Sequence, residues 1–344
     1  MTAAPHSGGR LRAYLLFVFA LLYLFAARSL AHRAALGFAS DAWLPLIEQA
    51  MLVFLLLVVY GAMGFWIDRQ LDPISEQGLP RRPGWFGEVG LGLATGWALV
   101  VVCVLPMLIA GGIVISITAR PSNWGWLIAD TAFFAFWALA EEIAYRGYAF
   151  QSFIRAVGPV GATLGFAAIY AIVQRLIPGS GNASFALSLV FSILLSSAYL
   201  RTRALWVSWG LNFGWKAGQA LIFGLAVEGV STHSPVVQGD PVGPFWLTGG
   251  AFGLDGSWLA FFVLLAALPV LFRITRDLDY RYNVPVIVPG GIPVDIDAAA
   301  RKQHEAAMGS AAPAEPQLVR IDPAAPLPPA PVASSPTDST AGHS

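Results

Sequence analysis

The sequence predicts an all-α polytopic membrane protein, about eight transmembrane helices in one bundle, and three observations carry that expectation. Of its 344 residues, 56% are hydrophobic and 12% charged, against roughly 25% charged in soluble domains. The apolar residues fall in long runs, most near the roughly 20 residues that one span needs. Arginines gather in alternate connecting segments, which is how topology is written in a multi-pass chain. Mean hydropathy is +0.65. Net charge is zero, so nothing points to nucleic acid as a partner. The single cysteine, Cys103, lies in an apolar run; it excludes an internal disulfide and is expected to pack in the core.

Taken in order, the expected helices span about 11–30, 44–67, 89–116, 124–154, 159–177, 183–200, 204–229 and 256–273. A bilayer leaves backbone polar groups no water, so each run must satisfy its own as a helix. Arg10 and Arg12 before the first run, and ARSLA after it, imitate a signal peptide. With many spans following, an uncleaved first helix is expected. Pro73 and Pro80 mark the second loop, Gly158 and Pro159 the end of the fourth helix, and Pro178 and Gly179 the end of the fifth. The small residues from Gly90 to Gly96 suggest close helix packing rather than a phosphate loop. The domain plan is a short N-terminus (1–10), helices one to three (11–120), a polar-bearing core of helices four to seven (121–230), an external loop (231–255), helix eight (256–275) and a tail (276–344). The tail from about 297 is rich in Ala, Pro and Ser and is expected to be disordered. The apolar, Pro-broken NVPVIVPGGIPVDI before it suggests no chemistry.

With the N-terminus inside, the inner segments hold Arg10, Arg12, Arg69, Arg81, Arg82, Arg155, Arg201, Arg203, Arg273, Arg276 and Arg281. The outer ones hold Arg28, Arg33, Arg120 and Arg175. This excess predicts an inner-membrane protein with both termini cytoplasmic. The bilayer is then its first partner.

One stretch does not belong in hydrocarbon. EEIAYRG, Glu141 to Gly147, lies inside the fourth run, where each charge facing lipid costs roughly 2.5–3.5 kcal/mol. Such residues face the protein interior, and they mark either a functional site or a buried ion cluster that locks helices. From Trp126 to Glu141 is about 22 Å of helix. Tyr170 on the fifth helix lies about 16 Å along its span, and Asn212 and Lys216 on the seventh about 12 and 18 Å along theirs. Polar groups from three helices therefore converge in depth. Within each helix they pair at i,i+4: Glu142 with Arg146, Tyr170 with Gln174, Asn212 with Lys216. Glu141 and Glu142 are about 100° apart and divide the labour. Glu142 can pair with Arg146, which leaves Glu141 as the candidate general base. Asp130 and Glu48 read as interfacial residues, and Glu228 as the close of the seventh helix.

EEIAYRG resembles the EExxxR motif of the CAAX-protease and bacteriocin-processing family, also called the Abi family of intramembrane endopeptidases. The resemblance covers about 125–230 and implies an eight-helix membrane protein acting on membrane-associated, sometimes prenylated, proteins or peptides. It implies that Glu141 activates a water and that Glu142 and Arg146 support it. This sequence departs at the other two motifs. FAAIY keeps Phe166 of FxxxH but has Tyr170 for the histidine. LWVSWGLNFGWK has Asn212 for the histidine and Lys216 for the asparagine of HxxxN. His6, His32, His233, His304 and His343 all lie outside the motifs.

Those replacements leave two classes open. One is an endopeptidase with an altered site, in which Glu141 activates water and Tyr170 and Asn212 hold the oxyanion. The other is a binding, scaffold or immunity protein on the protease fold. Tyrosine and asparagine are poor general acids near neutral pH, and Lys216 beside Glu141 would weaken it as a base. With no motif histidine a metal site is not expected, nor any cofactor. A transporter draws only on intramembrane Glu and Lys, without a broken-helix repeat.

Overall fold

The computed structural model describes residues 7–118, 120–234, 236–283 and 304. Except for His304, which is exposed, they lie in the compact unit Met1–Val294. The expected tail and nearly all of NVPVIVPGGIPVDI fall outside the described residues. The chain is an all-α multi-pass membrane protein. Among the described residues five helical stretches are long and apolar enough to cross a bilayer, or six if a helix pair bent by 54° counts as one.

The helices are α1 (Ser7–Phe38), α2 (Leu44–Trp66), α3 (Trp85–Ile109), α4 (Trp124–Arg146), α5 (Tyr148–Arg175), α6 (Asn182–Thr202), α7 (Trp206–Ala217), α8 (Trp258–Ile274) and α9 (Arg276–Tyr282). Several bounds differ from expectation for local reasons. The third run stops at Ile109, and Ile113–Ile117 forms strand β1, antiparallel to β2 (Val237–Pro241) with Ile115 opposite Gly239. Four of the five β1 residues are β-branched, which suits a strand better than a helix end. The fourth run breaks at Gly147, where a Cβ would lie 2.4 Å from the Ile143 carbonyl oxygen. Gly158 and Pro159 do mark a junction: two helical segments of α5 meet there at a kink, because proline disfavours helical backbone before it and Gly158 takes φ +84°. The seventh run is shorter than expected: α7 ends at Ala217 and one π turn, Gly218–Ile222, follows.

Helix α1 packs on α2 and α5, α2 on α4, α5 on α6, and α6 on α8. Tyr60 of α2 ties the first pair by donating to the Ala20 carbonyl at 3.0 Å. The closest crossing is α3 on α7. A Cβ at Gly92 would lie 2.2 Å from the Val207 carbonyl oxygen, and one at Gly96 would lie 2.4 Å from that of Leu211. Gly210 and Gly214 on α7 face the α3 backbone as tightly. Two GxxxG faces thus meet, which lets the backbones touch where side chains would hold them apart. Gly90 has nothing within 4 Å of a built Cβ, so close packing begins at Gly92. This crossing fixes α7, and α7 carries half of the polar site.

Candidate functional site

The EEIAYRG stretch occupies the last two turns of α4. One turn apart, Arg146 Nη1 and Glu142 Oε1 stand at 3.3 Å, both side chains fully buried. Arg146 Nη2 also donates to the hydroxyl of Ser192 on α6 at 3.0 Å and to its carbonyl at 3.3 Å. Glu142 is therefore compensated within its own helix, as the spacing predicts.

From α7, Asn212 Nδ2 donates to Glu141 Oε2 and to Glu142 Oε1, each at 3.0 Å. An amide carries two N–H groups, so one asparagine can bridge the two carboxylates. One turn further, Lys216 Nζ lies 3.3 Å from Glu141 Oε1 and 2.5 Å from Glu228 Oε1. The ammonium also sits 4.1 Å from the ring centre of Trp137, one turn before Glu141, in cation–π geometry. Lys216 pairs with Glu141, and not with Glu142. Both oxygens of Glu141 are thus engaged, yet its side chain keeps 12% exposure while Glu142 and Arg146 keep none. Asn212 is also fully buried.

Tyr170 sits apart from this hydrogen-bonded set. Its ring is edge-on to Tyr145 at 5.1 Å and 5.8 Å from the Arg146 guanidinium. The partner of its hydroxyl is Gln174, which donates at 3.1 Å. The i,i+4 pair on α5 therefore closes on itself, and of the two residues replacing motif histidines only Asn212 bonds the glutamates. Glu142 Oε2, Arg146 Nε and Asn212 Oδ1 are buried without a hydrogen-bond partner among the described residues.

Glu228 does not close a helix. It occupies the tip of a tight turn in which Val227 and Val230 exchange backbone hydrogen bonds of 2.9 and 2.8 Å. Glu228 and Gly229 both have positive φ, +52° and +81°. Left-handed backbone costs a non-glycine residue on the order of 1–3 kcal/mol, so the surroundings must over-determine it. They do. Its carboxylate meets Lys216, and its N–H donates to Asp255 Oδ2 at 3.3 Å. Asp255 is held by Trp215 Nε1 at 2.8 Å, and its carbonyl accepts from Ser184. Glycines at 224 and 229 were the sequence signal that the seventh run turns before Glu228. For Asp255 and Trp137 no comparable signal exists, because both contacts are tertiary.

Asp130 is likewise not a surface residue. At 2% exposure it accepts from the Ser234 N–H at 2.8 Å and pairs with His233 Nδ1 at 3.1 Å. His233 is thereby committed to Asp130. The donor set around Glu141 is an ammonium and an amide, and this does not fit a catalytic zinc centre, which takes imidazole, thiolate or carboxylate ligands. Among the described residues no three His, Cys, Asp or Glu side chains are grouped to hold a metal ion.

Comparison with known proteins matches residues 121–218 to the family model described as Rce1-like, type II CAAX prenyl endopeptidase Rce1-like. Neither the curated proteins nor the solved structures compared give a match. The matched segment runs from the turn before α4 through the end of α7, so it holds Glu141, Glu142, Arg146, Tyr170, Asn212 and Lys216. Glu228 and Asp255 lie beyond it. Residues 121–218 of this multi-pass membrane protein are thus similar to the Rce1-like family model.

Proposed function

We propose that this chain receives membrane-associated peptides or proteins, prenylated ones among them, at the Glu141 corner and does not hydrolyse them efficiently. The arginine distribution supports an inner-membrane setting with both termini cytoplasmic. The observation that carries the reading is Lys216, whose ammonium joins Glu141 to Glu228 where the family motif has asparagine. A general base needs a free lone pair facing its water, and the leaving amine needs a proton donor. Here each carboxylate oxygen of Glu141 already takes one contact, Oε1 from Lys216 and Oε2 from Asn212. Among the described residues no imidazole stands beside them. The reading requires neither a metal nor a cofactor.

Hydrolysis by an altered site is the second reading, and the residual exposure of Glu141 favours it. In that case Glu141 activates water and Asn212 holds the oxyanion. Purified protein in detergent, given farnesylated and unprenylated peptides, separates the two. We expect wild type and Glu141→Ala to bind peptide alike and release the same background of product. Product above the Glu141→Ala background by about tenfold, or 1.4 kcal/mol of transition-state stabilisation, would establish the enzyme instead. Tyr170→His with Asn212→His, combined with Lys216→Asn to release Glu141, is expected to gain product, as a silenced scaffold should.

A further inference from the structure

Outside the family-matched segment, the chain invests several contacts in one loop. Residues 224–257 fold back onto the end of α7 and are tied there at separate points. Glu228 reaches Lys216, and Asp255 takes the Trp215 indole. Gln219, fully buried on the π turn, accepts from the Leu254 N–H at 3.1 Å, and its own carbonyl accepts from the Leu225 N–H. Asp130 of α4 holds the Ser234 N–H. Val227, fully buried, packs with Phe133, Phe134, Ala217 and Ala220 in a hydrophobic cluster distinct from the main core. Of these ties, the Glu228 contact alone runs directly into the motif residues. It does so from a left-handed residue at a turn tip, a conformation that is kept only while its contacts hold it.

We infer that the turn carrying Glu228 is a latch: the Glu228–Lys216 contact holds residues 224–230 against the site, and they leave it when that contact is lost. The inference rests on the reading of Glu141 as a carboxylate locked by Lys216 and adds what the same ammonium holds in place on its other side. The electrostatics support it. The ionisable groups facing Lys216 are Glu141 from α4 and Glu228 from the loop, with Asp255 behind Glu228. Removing Glu228 leaves the turn without its charged anchor, while Lys216 retains Glu141. The helices keep their compensation and the loop does not.

The test places a reporter thiol under the latch. Val227→Cys puts a cysteine at a buried position of similar volume, and the native Cys103, buried on α3, reports on the helices. Reaction with a polar maleimide in detergent is followed at both thiols by mass spectrometry. Adding Glu228→Ala is expected to speed labelling at 227 by roughly ten- to a hundredfold, as loss of one charge-assisted hydrogen bond predicts. Cys103 should stay unlabelled. Glu228→Gln, which keeps an acceptor for Lys216, should restore most of the protection. Unchanged labelling at 227 in Glu228→Ala overturns the latch. So does simultaneous exposure of Cys103, which would make Glu228 a support of the whole bundle. Peptide release in the hydrolysis assay would sink the locked-carboxylate reading alone and leave these rates as they are.

Discussion

Replacing Lys216 by methionine should lower the unfolding free energy by about 3–5 kcal/mol, the cost of stranding buried charge when one partner of an ion pair is removed. Methionine is close to lysine in length and fills the same apolar path beside Trp137, so packing changes little and the charge term dominates. Two carboxylates lose their shared cation, Glu228 at 7% exposure and Glu141 at 12%. Glu228 carries the larger part because it is the more buried and makes the shorter contact. Denaturant titration in mild detergent, followed by tryptophan fluorescence, measures the loss. A double replacement, Lys216→Met with Glu228→Gln, should recover part of it, since the second change removes one of the stranded charges. A neutral Lys216→Met would mean that the ammonium is not a structural lock, and the main support for a non-hydrolytic site would go with it.

The second large effect is expected far from any charge. Gly96→Val puts a branched side chain where a Cβ already lies 2.4 Å from the Leu211 carbonyl oxygen and 2.7 Å from the Trp215 nitrogen. These are backbone atoms and cannot rotate away. Overpacking against side chains costs about 1–3 kcal/mol, occasionally more, and the upper end is expected here. Since α7 must shift, Asn212 and Lys216 shift with it, and peptide binding should fall together with stability. Gly90→Val is the control: exposed, with no neighbour within 4 Å, it should change stability by less than about 0.5 kcal/mol. Equal losses in the two variants would refute the direct α3–α7 backbone contact.

The sequence made the membrane class legible because apolar runs and their charge gaps are one-dimensional signals. It made the carboxylate corner legible for a related reason. Glu142 and Arg146 pair within one helix, so their spacing suffices to predict their contact. Asn212 and Lys216 were legible by depth, since the distance of a residue from the start of its apolar run sets its height in the bilayer. Their partners were less so. Which glutamate Lys216 meets depends on helix rotation, and its other partner lies in a loop read as a helix end. Tyr170 shows the limit of motif reasoning: it fills a motif position, but its hydroxyl is taken by Gln174 on its own helix. Gly147 was invisible as a break because a glycine inside an apolar run is a weak signal without its neighbour's carbonyl in view. The glycine stripe was read for what it is, and the structure moved it to Gly92 and Gly96.

The contact between Lys216 and Glu228 also makes the order of substitutions at these two positions matter. Lysine at 216 is tolerable before Glu228 exists, because Glu141 compensates it. A glutamate at 228 before the lysine would set two carboxylates against each other in a buried site. With both present, replacing Lys216 by asparagine in a single step creates that repulsion. A change from lysine to asparagine at 216 therefore depends on a loop residue that lies beyond the matched residues 121–218.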